Sequence, residues 1–373
     1  VREMFSLCEK NHLDMHYMLA PGLDIEYSSD GELSAAIAKY RQVYDLGVTK
    51  FGLLLDDISL DFTHESDRKS FNTLVDAHIS LANRVYGELK KIDKSIELVV
   101  CPTQYYGRGD EEYITRLGKG IPEDCRLFFT GEKICSAKIT TKQAEFLYRN
   151  TNHKPLYWDN YPVNDCEMVN EFHISSIINR DPDLYRYSEG ITLNPMEAAN
   201  CSLFSLITYA HFMWNSEAYD PERSYGESVA SLVGAGFVEP MRVFSGFLYK
   251  SCLLRHGWHY RYEKPAHYHE TVAELIERRD FAGLREYMAY AREQLLELRD
   301  LPEEYRREFQ RWHETALACC DVFIGLLDGI GSGKGFEELT TPLVRYFCRA
   351  EDVMKHEAER LLYAVYDEMK QVY

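Results

Sequence analysis

Six short apolar runs punctuate the first 215 residues, each ending in polar or small residues, with amphipathic stretches of helical length between them. The runs are HYMLAPGL (16–23), KFGLLLDDI (50–58), IELVVCPTQYY (96–106), CRLFFTGEKI (125–134), KPLYWDNYPVND (154–165) and EGITLNPM (189–196). Helix candidates between them include GELSAAIAKYRQVYDLG, RKSFNTLVDAHISLANRVYGELKKI and TTKQAEFLYRN. Runs that are apolar throughout, rather than alternating, read as strands buried on both faces. Strand–helix alternation of that kind predicts a parallel sheet, either an open doubly wound sheet or a (β/α) barrel. Both architectures place their chemistry at the carboxyl ends of the strands, where the polar residues of these runs collect. No GxGxxG follows any run, which argues against a dinucleotide site.

Beyond residue 215 the strand signals fade. Leu and Ala recur at helical spacing against charged faces, from SYGESVASLVGAGFVEPMRVFSGFLYKSCLL through ETVAELIERRD, AGLREYMAYAREQLLELRD and PEEYRREFQRWHETALACCDVFIGLLDGI to a final helix over VRYFCRAEDVMKHEAERLLYAVYDEMK. The chain is therefore expected to divide into an α/β part over 1–215 and an all-α helical bundle over 216–373. GSGKG at 331–335 lacks two requirements of a phosphate loop, because Asp328 stands at the first Gly position and Gly335 replaces the Ser/Thr. It reads as a loop joining helices. The histidines of RHGWHYRYEKPAHYHE show no ligand-like helical pairing, and no metal or other cofactor is expected.

A chain of 373 residues, 45% hydrophobic and 27% charged, can bury a sizeable core. Its formal net charge of −18 repels nucleic acid and anionic membrane surfaces, so a neutral, sugar-like substrate fits better. No apolar run reaches the roughly 18 to 20 residues of a membrane span. The 10 cysteines form no CxxC pair and lie mostly in apolar contexts, as in VVCP and NCSLF, which reads as buried, reduced thiols. VREMFSL is neither an initiator start nor a signal-peptide start, so the natural N-terminus is expected upstream, with localisation open between secreted and cytoplasmic.

The second run ends in Asp56-Asp57, two adjacent carboxylates after a buried strand. A lone Asp there would read as a helix cap. A pair repels, so that one pKa rises while the other stays low, the separation that glycoside cleavage requires of its acid and its anionic partner. Adjacent strand residues point to opposite sides, however, and would meet a substrate from different directions unless the strand ends between them. Other run ends supply Tyr105, Trp158, Asn160, Asp165 and Asn194. Asn and Asp can bind sugar hydroxyls, and Trp can wall a ring face; core packing for Trp158 and turn formation for Asn194 before Pro195 are the structural alternatives.

Through APGLDIEYSS, FGLLLDDI, CPTQYY, FFTGEKI, YWDNYPVND and LNPMEAA, in order, the chain resembles glycoside hydrolase family 84, the β-N-acetylglucosaminidases that include protein O-GlcNAcases and enzymes called hyaluronidases. The resemblance covers at least residues 15–250. It implies a (β/α)8 TIM barrel followed by a helical domain, and exo-acting, retaining hydrolysis in which the substrate's own 2-acetamido oxygen attacks to form an oxazoline. It further implies that Asp56 polarises the acetamido N–H and that Asp57 is the general acid and then base. Tyr105 would bond the acetamido oxygen or the intermediate, Trp158 and Asn160 would line that pocket, and Asp165 and Asn194 would bind other sugar hydroxyls. No metal is implied. The partner implied is a GlcNAc-bearing protein or glycan.

Members of that family carry two further barrel strands ahead of the one matching HYMLAPGL, with a GFYG-like and an APKDD-like segment, and neither occurs here. Six of eight strands are identified, so the expectation is a partial barrel, completed by an N-terminal segment or a second copy and impaired when alone. A non-catalytic GlcNAc-binding protein is the alternative reading.

Overall fold

The computed structural model describes residues 1–248, 270–330 and 332–372. The histidines of RHGWHYRYEKPAHYHE lie outside the described residues, as does Gly331 of the GSGKG stretch. The chain forms two compact units, Val1–Asp159 with Asp183–Thr192, and Asn160–Pro182 with Leu193–Tyr373.

Each of the six apolar runs contains one strand: β1 His16–Leu19, β2 Lys50–Leu54, β3 Glu97–Cys101, β4 Arg126–Phe129, β5 Pro155–Asp159 and β6 Gly190–Leu193. They form one parallel sheet whose spatial order is the chain order, β1-β2-β3-β4-β5-β6. A doubly wound sheet reverses its strand order at a switch point, whereas a barrel winds on in one direction, so this sequential half-barrel selects the second architecture. Among the described residues the sheet ends at β1 and β6.

The helices of the first unit are α1 Arg2–Lys10, α2 Asp30–Tyr44, α3 Glu65–Ser70, α4 Leu74–Ile92, α5 Glu112–Gly120 and α6 Thr141–Thr151. Period-two alternation sorts the strand side chains onto two faces. Phe51, Leu53, Leu98, Val100, Leu127, Phe129 and Tyr157 share a core with Val75, Leu81, Val85 and Leu89 of α4. Val99, Cys101 and Phe128 face the other way and pack with Met18, Leu54, Leu156 and Trp158. On that second face Gly52 lies against Met18, whose sulfur occupies the space a Cβ at 52 would need.

The sequence RKSFNTLVDAHISLANRVYGELKKI is not the single helix expected. It splits into α3 and α4 because Phe71 is extended and Thr73 starts a new helix. Thr73 accepts from the Asp76 N–H at 3.4 Å, and Asp76 accepts from the Thr73 N–H at 3.1 Å, a reciprocal cap. Thr140 and Gln143 do the same at the start of α6. From within α3 the fully buried Asp67 ties down the loop between β1 and α2, accepting from the N–H groups of Tyr27 (3.0 Å) and Ser28 (2.7 Å).

The second unit is helical, with α7 Ala199–Trp214, α8 Pro221–Val233, α9 Val238–Phe247, α10 Glu270–Glu277, α11 Phe281–Glu297, α12 Glu303–Gly329, α13 Phe336–Phe347 and α14 Lys355–Val372. Its core joins Phe172, Phe204, Phe244, Phe309, Trp312 and Phe323. α7 starts without a side-chain cap of its own. Glu308 of α12 supplies one from a distance, accepting from the N–H groups of Asn200 (3.2 Å) and Cys201 (2.8 Å), an anion at the positive end of the helix. The expected final helix from residue 344 is also broken, between α13 and α14. There the N–H of Asp352 bonds the Asn170 carbonyl at 2.8 Å and Met354 takes a left-handed backbone, φ 42°. No helix of the described residues is long and apolar enough to cross a membrane.

Candidate active site

β2 carries its alternation past its last strand residue. Leu55 still donates to the Cys101 carbonyl at 2.9 Å, which keeps Asp56 on the face of Gly52 and Leu54, beside Cys101. The ladder then stops, and Asp57 adopts a left-handed backbone at φ 49°. Strand parity therefore no longer governs where Asp57 points, which removes the obstacle that adjacent strand residues diverge. Left-handed backbone at a non-glycine residue is uncommon, more tolerated by Asp than by most, and costly enough to persist only where the surroundings fix it.

The two carboxylates differ in environment. Asp56 is half-buried and Asp57 exposed. Burial raises the Asp56 pKa above the ordinary carboxylate value and the charge of Asp57 adds to the rise, while its own backbone N–H and the neighbouring Cys101 thiol oppose it. The same burial, with the Asp56 charge behind it, pushes the thiol itself far up, so Cys101 is a neutral S–H donor. Tyr105 follows β3, and its carbonyl accepts from the Thr130 N–H at 2.8 Å, which pins it to the end of β4. Burial, then the charges of Asp57 and Asp56, lifts its phenol to about 12, so it remains an O–H donor at neutral pH. Trp158, near the end of β5, stands edge-to-face on Phe128 with ring centroids 5.2 Å apart. Asp56, Cys101, Tyr105 and Trp158 thus gather at the carboxyl end of the sheet on one face, and Asp57 follows directly.

Asn160, Asp165 and Asn194 belong to the second unit. Asn194 donates through Nδ2 to Asn160 Oδ1 at 3.0 Å, and its carbonyl accepts from the Val163 N–H at 2.8 Å, so these two are brought together. Asp165 is exposed and opens a short turn, its carbonyl accepting from the Met168 N–H at 2.8 Å. Under this segment His173 is buried against Glu171, with Nε2 to Oε2 2.9 Å, while Nδ1 lies 2.8 Å from the Val163 carbonyl. Sequence reasoning passed over His173 and took Cys101 only as a buried thiol. Among the described residues no group of three or more His, Cys, Asp or Glu could hold a metal ion.

The sequence model of the β-N-acetylglucosaminidase family matches residues 1–246. This chain belongs to that family, glycoside hydrolase family 84. Rat and mouse proteins named Protein O-GlcNAcase each match over 215 residues at 26% identity, covering 55% of this chain and 23% of their own length. The chain thus spans about a quarter of the length of these relatives. Among solved structures, a mutant of the Thermobaculum terrenum O-GlcNAc hydrolase superposes with a TM-score of 0.89 at 24% identity, covering 100% of this chain and 83% of that one. The structure of CpGH84B gives a TM-score of 0.83 at 19% identity, covering 98% of this chain and 66% of its own. At such identities these two likenesses speak for the fold, which agrees with the (β/α) barrel winding and the helical unit of this family member.

Proposed function

We propose that this β-N-acetylglucosaminidase family member removes terminal GlcNAc from proteins or glycans, as an exo-acting, retaining hydrolase whose nucleophile is the substrate's 2-acetamido oxygen. The observation that carries the reading is the Asp56–Asp57 pair, with one carboxylate held on the sheet face beside a thiol donor and the other released from strand parity by its left-handed backbone. Asp56 accepts the acetamido N–H and orients its carbonyl oxygen towards the anomeric carbon. Asp57 protonates the departing oxygen, then takes a proton from the water that opens the oxazoline. Tyr105 donates to the acetamido oxygen, and Trp158 and Asn160 line its pocket. Asp165 and Asn194 hold ring hydroxyls. The division of the chain at residue 215 into barrel and bundle remains part of this proposal, as do further strands completing the sheet beyond β1 and β6.

The test is turnover of an aryl β-N-acetylglucosaminide, with the first-formed sugar read by proton NMR. Retention requires the β-anomer first, and an α-anomer first would overturn the mechanism. The alternative, a GlcNAc-binding protein without turnover, draws on the sheet ending at β1 and β6; saturable binding of GlcNAc with no release of aryl alcohol, also once strands completing the sheet are supplied, would establish it.

The raised pKa falls on Asp56, to which this scheme gives the anionic role and not the acid role expected of the raised member of a pair, so activity should fall with decreasing pH as that pKa is crossed. The neighbouring Cys101 thiol, turned from the Pro102 carbonyl towards the carboxylate, favours the anion. Cys101→Val, which keeps the site dry but removes the donor, should move the acid limb of kcat/KM to higher pH. Cys101→Ser, a stronger donor, should move it lower. A pH–rate profile unmoved by both variants would show that Asp56 does not govern that limb.

A further inference from the structure

Behind the Asp56–Asp57 turn, inside the first unit, lies a chain of polar groups that the proposed chemistry does not use. His78 is fully buried on α4, between Val75 and Leu81. Its Nδ1 lies 2.8 Å from the Tyr113 hydroxyl of α5, and its Nε2 lies 3.1 Å from the Tyr27 hydroxyl of the loop after β1. The Tyr113 oxygen also accepts from the Thr103 N–H at 3.2 Å. Thr103 in turn donates its hydroxyl to the Leu55 carbonyl at 2.6 Å. Leu55 is the residue whose peptide bond leads into Asp56, and Thr103 stands two residues before Tyr105.

The bonds have a consistent direction. The Tyr113 oxygen accepts from the Thr103 N–H, and its proton has two acceptors, His78 Nδ1 at 2.8 Å and Thr103 Oγ1 at 3.3 Å; with the proton on the shorter bond, Nε2–H donates to Tyr27. Burial holds the imidazole pKa at about 4, so the ring is neutral at pH 7 and can accept on one side while donating on the other. A buried histidine satisfied by two tyrosines is ordinarily no more than core. Here the chain ends on the Leu55 carbonyl, in the peptide that enters Asp56, one residue ahead of the left-handed Asp57. A strained backbone persists only where neighbours over-determine it, and this network holds the peptide immediately upstream of the Asp56–Asp57 turn.

We propose that His78 is a positioning residue which, through Tyr113 and Thr103, fixes the Leu55 carbonyl and so the orientation of Asp56 and Asp57. The inference rests on the hydrolase reading given above. It implies that loosening the network misaims the carboxylates without removing any group that touches the sugar.

The experiment compares Thr103→Val, His78→Leu and His78→Gln with the parent chain on GlcNAc substrates of poor and good leaving-group ability. Thr103→Val and His78→Leu should lower kcat on poor leaving groups by roughly ten- to a hundredfold, the cost of a misplaced catalytic group. KM should stay within about twofold, because sugar contacts are untouched. His78→Gln, able to donate and accept, should recover much of the loss. Parent-like kcat in Thr103→Val and His78→Leu overturns the proposal, and so does a loss that His78→Gln leaves unrepaired. A parent without turnover, whether from the partial barrel or from failure of the hydrolase reading, moves the test to a second measurement. Positioning is then decided by the Asp56 carboxyl titration, followed by carbon-13 NMR: a midpoint displaced in Thr103→Val supports it, and an unchanged midpoint refutes it.

Discussion

Asp57→Asn is expected to reduce hydrolysis of substrates with poor leaving groups by about 10²- to 10⁴-fold, the usual contribution of a positioned general acid. An alkyl or Ser/Thr glycoside departs as a strongly basic oxygen and needs a proton in the transition state. An activated aryl glycoside departs as a weakly basic phenolate and needs little. The same variant should therefore lose far less on the aryl substrate, and the ratio of the two losses is the diagnostic quantity. The measurement is a plot of kcat/KM against leaving-group pKa for the parent and for Asp57→Asn. Equal losses across the series would remove the acid role from Asp57, which the exposed position and freed direction of this carboxylate otherwise support.

Changing the substrate is expected to act at least as strongly. With a 2-hydroxyl in place of the 2-acetamido group the nucleophile of the proposed mechanism is gone, and turnover of an aryl β-glucoside should be nearly abolished beside that of the matching β-N-acetylglucosaminide. Asp56→Asn should resemble that loss more than it resembles Asp57→Asn. In the proposed mechanism the acetamido oxygen bonds the anomeric carbon as the leaving group departs, whichever group that is, so good and poor leaving groups should suffer together. A stable mimic of the bicyclic oxazoline should bind the parent tightly, since it resembles the species between the two steps, and should lose most of that affinity in Asp56→Asn. Comparable turnover of the glucoside and the N-acetylglucosaminide would refute substrate assistance.

The strands were readable because burial on both faces leaves a continuous apolar run, and each of HYML, KFGLL, ELVVC, RLFF, PLYWD and GITL sits inside one such run. The order of the strands in the sheet was open between two architectures until pairing was seen. The break at Phe71 to Thr73 had a local signal in T-x-x-D, whose Asp replaces the more familiar Glu or Gln. The break between α13 and α14 had none, because contacts to Asn170 and Phe247, far away in the sequence, set it. The site divides in the same way. Asp56, Asp57 and Tyr105 were legible as polar residues at strand ends. His78 was not, since between Val75 and Leu81 it looks like one more core position of α4. Its partners Tyr27 and Tyr113 lie 51 and 35 residues away.

The φ of 49° at Asp57 also restricts what can replace it. Asparagine keeps the shape of the side chain and tolerates left-handed backbone, and glycine adopts it freely. Valine, isoleucine or threonine would oppose the turn itself, whatever they did to proton transfer. A drift towards pure sugar binding in chains of this design therefore has a narrow exit at this position, through Asn or Gly. Either letter in place of the second Asp of a DD pair would then mark a lectin-like descendant that kept the turn and gave up the proton.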